Sequence, residues 1–109
     1  MLFRSWALED SGAAVAFAAF SDGLPVGYVS GFVVRHGHYP FLVGQHDLLF
    51  VSPAFRKGRL GLRLMAAFEA AAREKGARCV LYHAKPDSVF ARLLHRQARV
   101  EECVFLKEV

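Results

Sequence analysis

The residues best suited to chemistry stand in one short run, Arg56-Lys57-Gly58-Arg59-Leu60-Gly61, between an apolar stretch ending at Val51 and a helix-forming stretch that begins at Arg59 or Leu60. A strand that ends in such a turn and leads into a helix aims several unpaired backbone N–H groups, and the positive end of the helix dipole, at one spot. A phosphate or pyrophosphate fits there. Gly58 and Gly61 let the backbone approach an anion closely, while Arg56, Lys57 and Arg59 surround it with positive charge. Taken alone, the same run also describes a solvated basic turn before an ordinary helix, because an isolated glycine pattern is weak. His36-x-His38 brings together two side chains of metal-ligand type, but no third and fourth ligand follows at a fitting spacing, and Cys79 and Cys103 fall in expected strands. No metal is assigned.

The elements that must position this turn can be read along the chain. Ala13 to Phe20 is apolar and ends in Ser21-Asp22-Gly23, which suits a strand entering an Asp-Gly turn better than a helix. Leu24 to Val34 is the partner strand of that hairpin, with Gly27 and Gly31 marking a bulge or a close backbone approach. After the loop from Arg35 to Pro40, Phe41 to Val51 is extended, and Pro53 ends it for want of an N–H. The helix to Lys75 gathers Leu62, Leu64, Met65, Phe68, Ala71 and Ala72 on one side, and Gly76 suits its left-handed C-terminal position. Cys79 to Tyr82 has the pattern of a buried strand, Asp87 or Ser88 can cap a second helix to about Arg96, and Val100 to Leu106 is expected to close the chain as a strand. A strand, helix and strand in direct succession imply a right-handed parallel crossover within a mixed sheet.

With 109 residues the chain is read as a single domain over 1–109, and 54% hydrophobic residues supply one packed core. The net charge of +4 suits an anionic ligand but is too small and dispersed to argue for nucleic acid, and the sequence has neither an RNP-like aromatic pair nor a helix-turn-helix signature. Two cysteines make no disulfide framework, no signal peptide is evident, and no apolar run nears the ~20 residues of a membrane helix. A cytoplasmic protein with no membrane attachment is expected.

Leu49-x-Val51-x-Pro53-x-x-Arg56-x-Gly58-x-x-Gly61-x-x-Leu64 resembles the central motif of the GNAT N-acetyltransferases. The element order resembles that family's from its second strand onward. The resemblance implies an α/β (α+β) fold: a mixed, mostly antiparallel sheet with a central parallel β-α-β crossover and helices packed on it. It also implies acetyl-CoA as cosubstrate and a small-molecule or peptide amine as acceptor. Leu49, Phe50 and Val51 would offer backbone groups to the pantetheine arm. Arg56, Lys57, Gly58, Arg59, Leu60 and Gly61 would hold the pyrophosphate, and Cys79 to Tyr82 would form a neighbouring strand that splays away to admit the thioester. His46 and Asp47 stand where the family often places its base or a water-holding residue, and strict alternation puts Asp47 with Leu49 and Val51 and His46 on the opposite face.

The sequence departs from the family pattern in several places. The first glycine of the family turn would fall at Arg59, and Gly58 sits one position earlier. The tyrosine that commonly serves as acid is missing from Ser88 to His95; His95 or Tyr82 could substitute, and neither stands at the expected place. Gln97-Ala98 stands near the usual Gly-Phe. Met1 to Gly12 is too short for the usual first strand and the helices after it, so these are expected to be absent or vestigial. Phe3 and Trp6 would then complete the core or mark a homodimer contact, since a sheet without covering helices exposes apolar surface. With Tyr39, the His36-His38 loop is an acceptor-facing, interface or solvated segment. The expected activity is acetyl transfer to a primary amine; the alternatives are a weakly catalytic acyl-CoA-binding or regulatory module and, last, a small nucleic-acid binder.

Overall fold

A computed structural model describes residues 2–6 and 13–109, with only the backbone of 2–6. Five strands, β1 (Leu2–Trp6), β2 (Ala14–Ser21), β3 (Leu24–Arg35), β4 (Leu42–Val51) and β5 (Cys79–Leu81), form one sheet in chain order. β1 to β4 pair antiparallel and β4 pairs parallel with β5, across the helix α1 (Leu60–Glu74). A second helix, α2 (Val89–Gln97), follows β5. The fold expected from the family resemblance is the fold observed.

The local signals act as their chemistry requires. Asp22 and Gly23 both take positive φ, 50° and 79°, which is the twist a two-residue hairpin needs. Gly76 ends α1 at φ 99°. The Ser88 hydroxyl caps α2 by accepting the Ala91 N–H at 3.0 Å. Leu60, Leu64, Met65, Phe68 and Ala72 form the buried stripe of α1, which packs on the sheet against Val15, Ala19, Val26, Val29 and Val33. Phe68 sits at the centre. A Cβ on Gly31 would fall 2.6 Å from Phe68 Cζ, and one on Gly44 would fall 2.9 Å from Ala72 Cβ. These two glycines set how closely α1 can approach the sheet.

Two expectations are corrected. A first strand exists: Leu2 to Trp6 lies in register with Phe20 to Ala16. Five residues are enough, because a strand rises about 3.3 Å per residue and β2 offers a whole edge. Residues 7–12, and the side chains of Phe3 and Trp6, lie outside the described residues. The expected closing strand, Val100 to Leu106, does not form. Its apolar run from Cys103 to Leu106 suits a strand, but a strand also needs a partner, and the segment makes no ladder with the three residues of β5.

Candidate active site

β4 and β5 pair only from Val43–Cys79 to Gln45–Leu81. Beyond Gln45, β4 continues through His46 to Val51 with β3 on one side and no strand on the other. The place where β5 stops and β4 runs on alone is the fork of the sheet. Leu49, Phe50 and Val51 lie on the open arm, whose outer edge carries free backbone groups, and the fork leads to the turn before α1. The neighbouring strand expected over Cys79 to Tyr82 is β5, which ends at Leu81 rather than Tyr82.

The turn is built from a 3-10 turn, Pro53–Phe55, whose first N–H is absent by virtue of proline. Phe55 and Arg56 donate their N–H groups back to Ser52 and Pro53. Arg63 donates to the Arg59 carbonyl at 3.0 Å, the first backbone bond of α1. The amides before it, at Leu60, Gly61 and Leu62, have no i−4 partner. No side chain caps this helix and no acidic residue stands in its first turn. A Cβ on Gly61 would meet nothing closer than Val51 Cγ2 at 3.8 Å, and one on Gly58 nothing closer than the Phe55 carbonyl at 3.9 Å. Internal packing therefore does not require these glycines; they leave space above the amides. Arg59 adopts φ −103°, a conformation open to any residue, so glycine is not needed there for the backbone. An anion fits this open, basic, uncapped helix start.

Arg56 plays a different part from its two basic neighbours. Its Nε donates to the Val51 carbonyl at 2.7 Å and its guanidinium lies 5.7 Å over the Phe50 ring. It ties the turn to the end of β4, although all three basic side chains are exposed.

At the crotch of the fork, strict alternation fails. Gly31 pairs with His46 and Ser30 with Leu48, so Asp47 is an extra residue in β4. The bulge brings His46 onto the α1 face with Gly44, while Leu49 and Val51 also pack toward that face, and Asp47 is exposed. This overturns the alternation that put His46 opposite Leu49 and Val51. His46 is 5% exposed, with its ring among those of Tyr82, His83 and Phe90. Its Nδ1 accepts the His83 N–H at 3.3 Å, and its carbonyl faces His83 Nε2 at 3.1 Å. Burial, then the nearby His83, hold the His46 imidazole down to about 4, against a smaller opposing effect of Asp47. With Nδ1 accepting, the neutral ring carries its proton on Nε2. Tyr82 donates its hydroxyl to Glu69 Oε2 at 2.7 Å, and burial together with that carboxylate raises its pKa well above the ordinary tyrosine range.

On the sheet face away from α1, a small hollow of about 140 Å³ is lined by Phe32, Val34, Gln45, His46, Asp47 and His83. Asp47 thus stands between the fork and an open hollow. The sequence named Asp47 and His46, and Tyr82 as one substitute for the missing acid; the roles of His83 and Glu69 at the fork emerge only from the crossing of β4, β5 and α1. His95 is exposed on α2. His36 and His38 share a local turn in which the His38 N–H donates to His36 Nδ1 at 3.2 Å. Among the described residues no group of three His, Cys, Asp or Glu side chains is placed to hold a metal ion, and no helix is long and apolar enough to cross a membrane.

Solved structures share this architecture. An aminoglycoside N-acetyltransferase, AAC(6')-Iy, in complex with CoA superposes with a TM-score of 0.72 at 22% identity, over 89% of this chain and 77% of that one. A ribosomal-protein-alanine N-acetyltransferase from Brucella melitensis biovar Abortus 2308 gives 0.73 at 22% identity, over 89% and 70%. An aminoglycoside acetyltransferase, meta-AAC0020, from an uncultured soil metagenomic sample, in complex with sisomicin, gives 0.74 at 18% identity, over 95% and 76%. At these identities the likeness is one of fold. A search of the curated proteins finds no match. The family model described as acetyltransferase (GNAT) family matches residues 2–98, nearly the whole described chain and all of the fork, bulge and helix start. With motif, topology and family model in agreement, the chain belongs to the acetyltransferase (GNAT) family and is an N-acetyltransferase with acetyl-CoA as its cosubstrate.

Proposed function

We propose that the protein transfers an acetyl group directly from acetyl-CoA to a primary amine on a small-molecule or peptide acceptor, in the cytoplasm. One observation carries this reading: the free edge of β4 beyond Gln45 leads straight to the uncapped start of α1. A thioester arm lies along such an edge as an added strand would, with the outward-facing backbone groups of the Leu49 to Val51 stretch, chiefly those of Leu49 and the Val51 amide, as its partners. The amides of Leu60 and Gly61, with Gly58 leaving room beside them, take the pyrophosphate, and Lys57 and Arg59 add charge. Arg56 holds the turn to β4.

Acetyl-CoA supplies the acetyl group as a thioester, whose C–S bond breaks as the amine nitrogen bonds to the carbonyl carbon, and CoA leaves as a thiolate that takes up the proton the new amide nitrogen gives up. The protein must hold the amine and take its proton. Asp47, exposed at the bulge beside the hollow, attracts the acceptor's ammonium and accepts a proton directly or through water. His46 is a donor through Nε2–H, and its part is to hold the fork and orient water. The aminoglycoside and ribosomal-protein enzymes of the same fold act on amines, which supports the substrate class.

Calorimetry with CoA and a thiol-release assay over a panel of amines test the reading. Gly61→Asp places a carboxylate at the helix start, where it has room and stabilises the helix. It is expected to leave the melting temperature unchanged or higher while weakening CoA at least about tenfold, or 1.4 kcal/mol. Unchanged affinity would put the pyrophosphate elsewhere. Asp47→Asn is expected to keep CoA affinity and lose turnover at least about a hundredfold. If the parent binds CoA but turns over no amine, the acyl-CoA-binding module replaces the enzyme reading.

A further inference from the structure

The sheet face away from α1 carries a row of exposed apolar side chains. Tyr28 and Phe50 are each 41% exposed, Phe32 37% and Leu48 52%, whereas the apolar residues beneath α1 are buried. Their common face follows from the pairing. α1 packs on the side of Gly27, Val29 and Gly31, so Tyr28 and Phe32 point the other way. Phe50 pairs with Tyr28 and Leu48 with Ser30, and directly opposed residues share a face. The Tyr28 and Phe50 rings stack with centroids 5.6 Å apart. Large apolar side chains gathered in water mark a binding surface.

The charges on this face say what it suits. Among the described residues, its β3 and β4 positions carry one carboxylate, Asp47, which stands between the hollow at Phe32 and Val34 and the row of Leu48, Tyr28 and Phe50. At the far end of the row the Arg56 guanidinium lies 5.7 Å over the Phe50 ring. One cationic nitrogen therefore finds a partner. Each further ammonium of a polycation would stand over apolar side chains or beside Arg56, losing water and gaining no anion. The hollow, about 140 Å³, is smaller than the ~300 Å³ at which pockets for whole small molecules begin. The body of an acceptor held at Asp47 thus lies outside the hollow, along the row. From Asp47 to Phe50 the strand advances only ~10 Å, the reach of a nitrogen joined to a ring by a short alkyl chain.

We propose that the acceptor is a small monoamine whose nitrogen is held at Asp47 and whose aromatic ring packs on Leu48 and Tyr28, backed by Phe50. The proposal rests on the reading of Asp47 as the group that holds the acceptor. Stacked or edge-to-face contact with Tyr28 favours a ring over an alkyl tail of equal area. Tyr28 and Leu48 set specificity and take no part in the proton transfer.

Calorimetry of phenylbutylamine on the CoA-saturated full chain reads the site, and thiol release from acetyl-CoA reads the reaction. The expected kcat/KM for phenylbutylamine is at least about tenfold that for spermidine, a triamine. Tyr28→Ala is expected to weaken phenylbutylamine and raise its KM about tenfold, with kcat and CoA affinity within about twofold. Leu48→Glu adds a second carboxylate to an exposed position and is expected to shift the preference toward spermidine at least about tenfold. Absence of phenylbutylamine binding, spermidine used as well as phenylbutylamine, or an affinity that Tyr28→Ala leaves unchanged would each overturn the proposal while leaving acetyl transfer standing. So would a dimer in sedimentation that Tyr28→Glu dissociates, by showing a second copy on this face. Phenylbutylamine that binds, loses affinity in Tyr28→Ala and yet is not acetylated upholds the site and overturns the transfer reading instead.

Discussion

His46 is the residue whose behaviour its type alone would misjudge. A histidine ordinarily titrates near neutrality. Here it is buried among aromatic rings, its Nδ1 is occupied by the His83 N–H, and burial pulls its pKa to about 4. In the unfolded chain the same ring takes up a proton near its ordinary 6.5. Between these two values the unfolded state binds more protons, so His46 makes stability rise with pH across that window and fall as pH drops from 6.5 toward 4. The expected result in an NMR titration is a His46 ring that stays neutral at pH 6, with thermal stability declining below 6.5. A ring that titrates near 6.5 in the folded protein would refute the burial account and return His46 to the role of a base. Asp47, one residue away, faces the other side of the sheet and is exposed.

At the scale of elements, the site depends on two helix starts that end differently. α1 begins with no capping side chain and no acidic residue, and the space above it is open. α2 begins with Ser88, whose hydroxyl satisfies the Ala91 amide internally. The first is suited to an outside anion and the second to stability. Ser88→Ala is therefore expected to cost about 1 kcal/mol of unfolding free energy, measured by urea denaturation, and to leave CoA affinity within twofold. A loss of CoA affinity without a loss of stability would mean that the start of α2 also meets the ligand. The bulge at Asp47 belongs to this scale too, since it is made by the pairing of β3 with β4 and by neither strand alone.

At the scale of the molecule, Phe68 joins the parts. It is fully buried, lies against the places where Gly31 and Gly44 lack side chains, and its ring stands 6.4 Å from that of Tyr82 at the fork. Phe68→Ala is expected to destabilise the fold by about 3–5 kcal/mol, because the two glycines beside it cannot collapse into the cavity. The check is denaturant unfolding together with CoA affinity, which should fall as well because the fork loses its backing. A change under 1 kcal/mol would show that α1 is not held to the sheet at this point.

The sequence by itself determined the elements whose signals are local. The Asp22-Gly23 hairpin, the apolar stripe of α1, its end at Gly76, a cap at Asp87 or Ser88 (Ser88 in the structure) and the basic glycine turn each rest on residues a few positions apart, and each stands where its chemistry puts it. The β-α-β order then made the parallel pair and the family resemblance legible. What the tertiary structure alone decided depends on pairing between distant segments. The bulge that turns His46 inward, the His46–His83 tie and the Tyr82–Glu69 bond all join residues far apart in the chain. The same holds for two strands that local residues do not decide. Leu2 to Trp6 became a strand because β2 offered it an edge, and Val100 to Leu106, with better strand residues, did not because no edge within its own chain received it. A strand is a property of a pair, and one half of a pair cannot be read from its own residues.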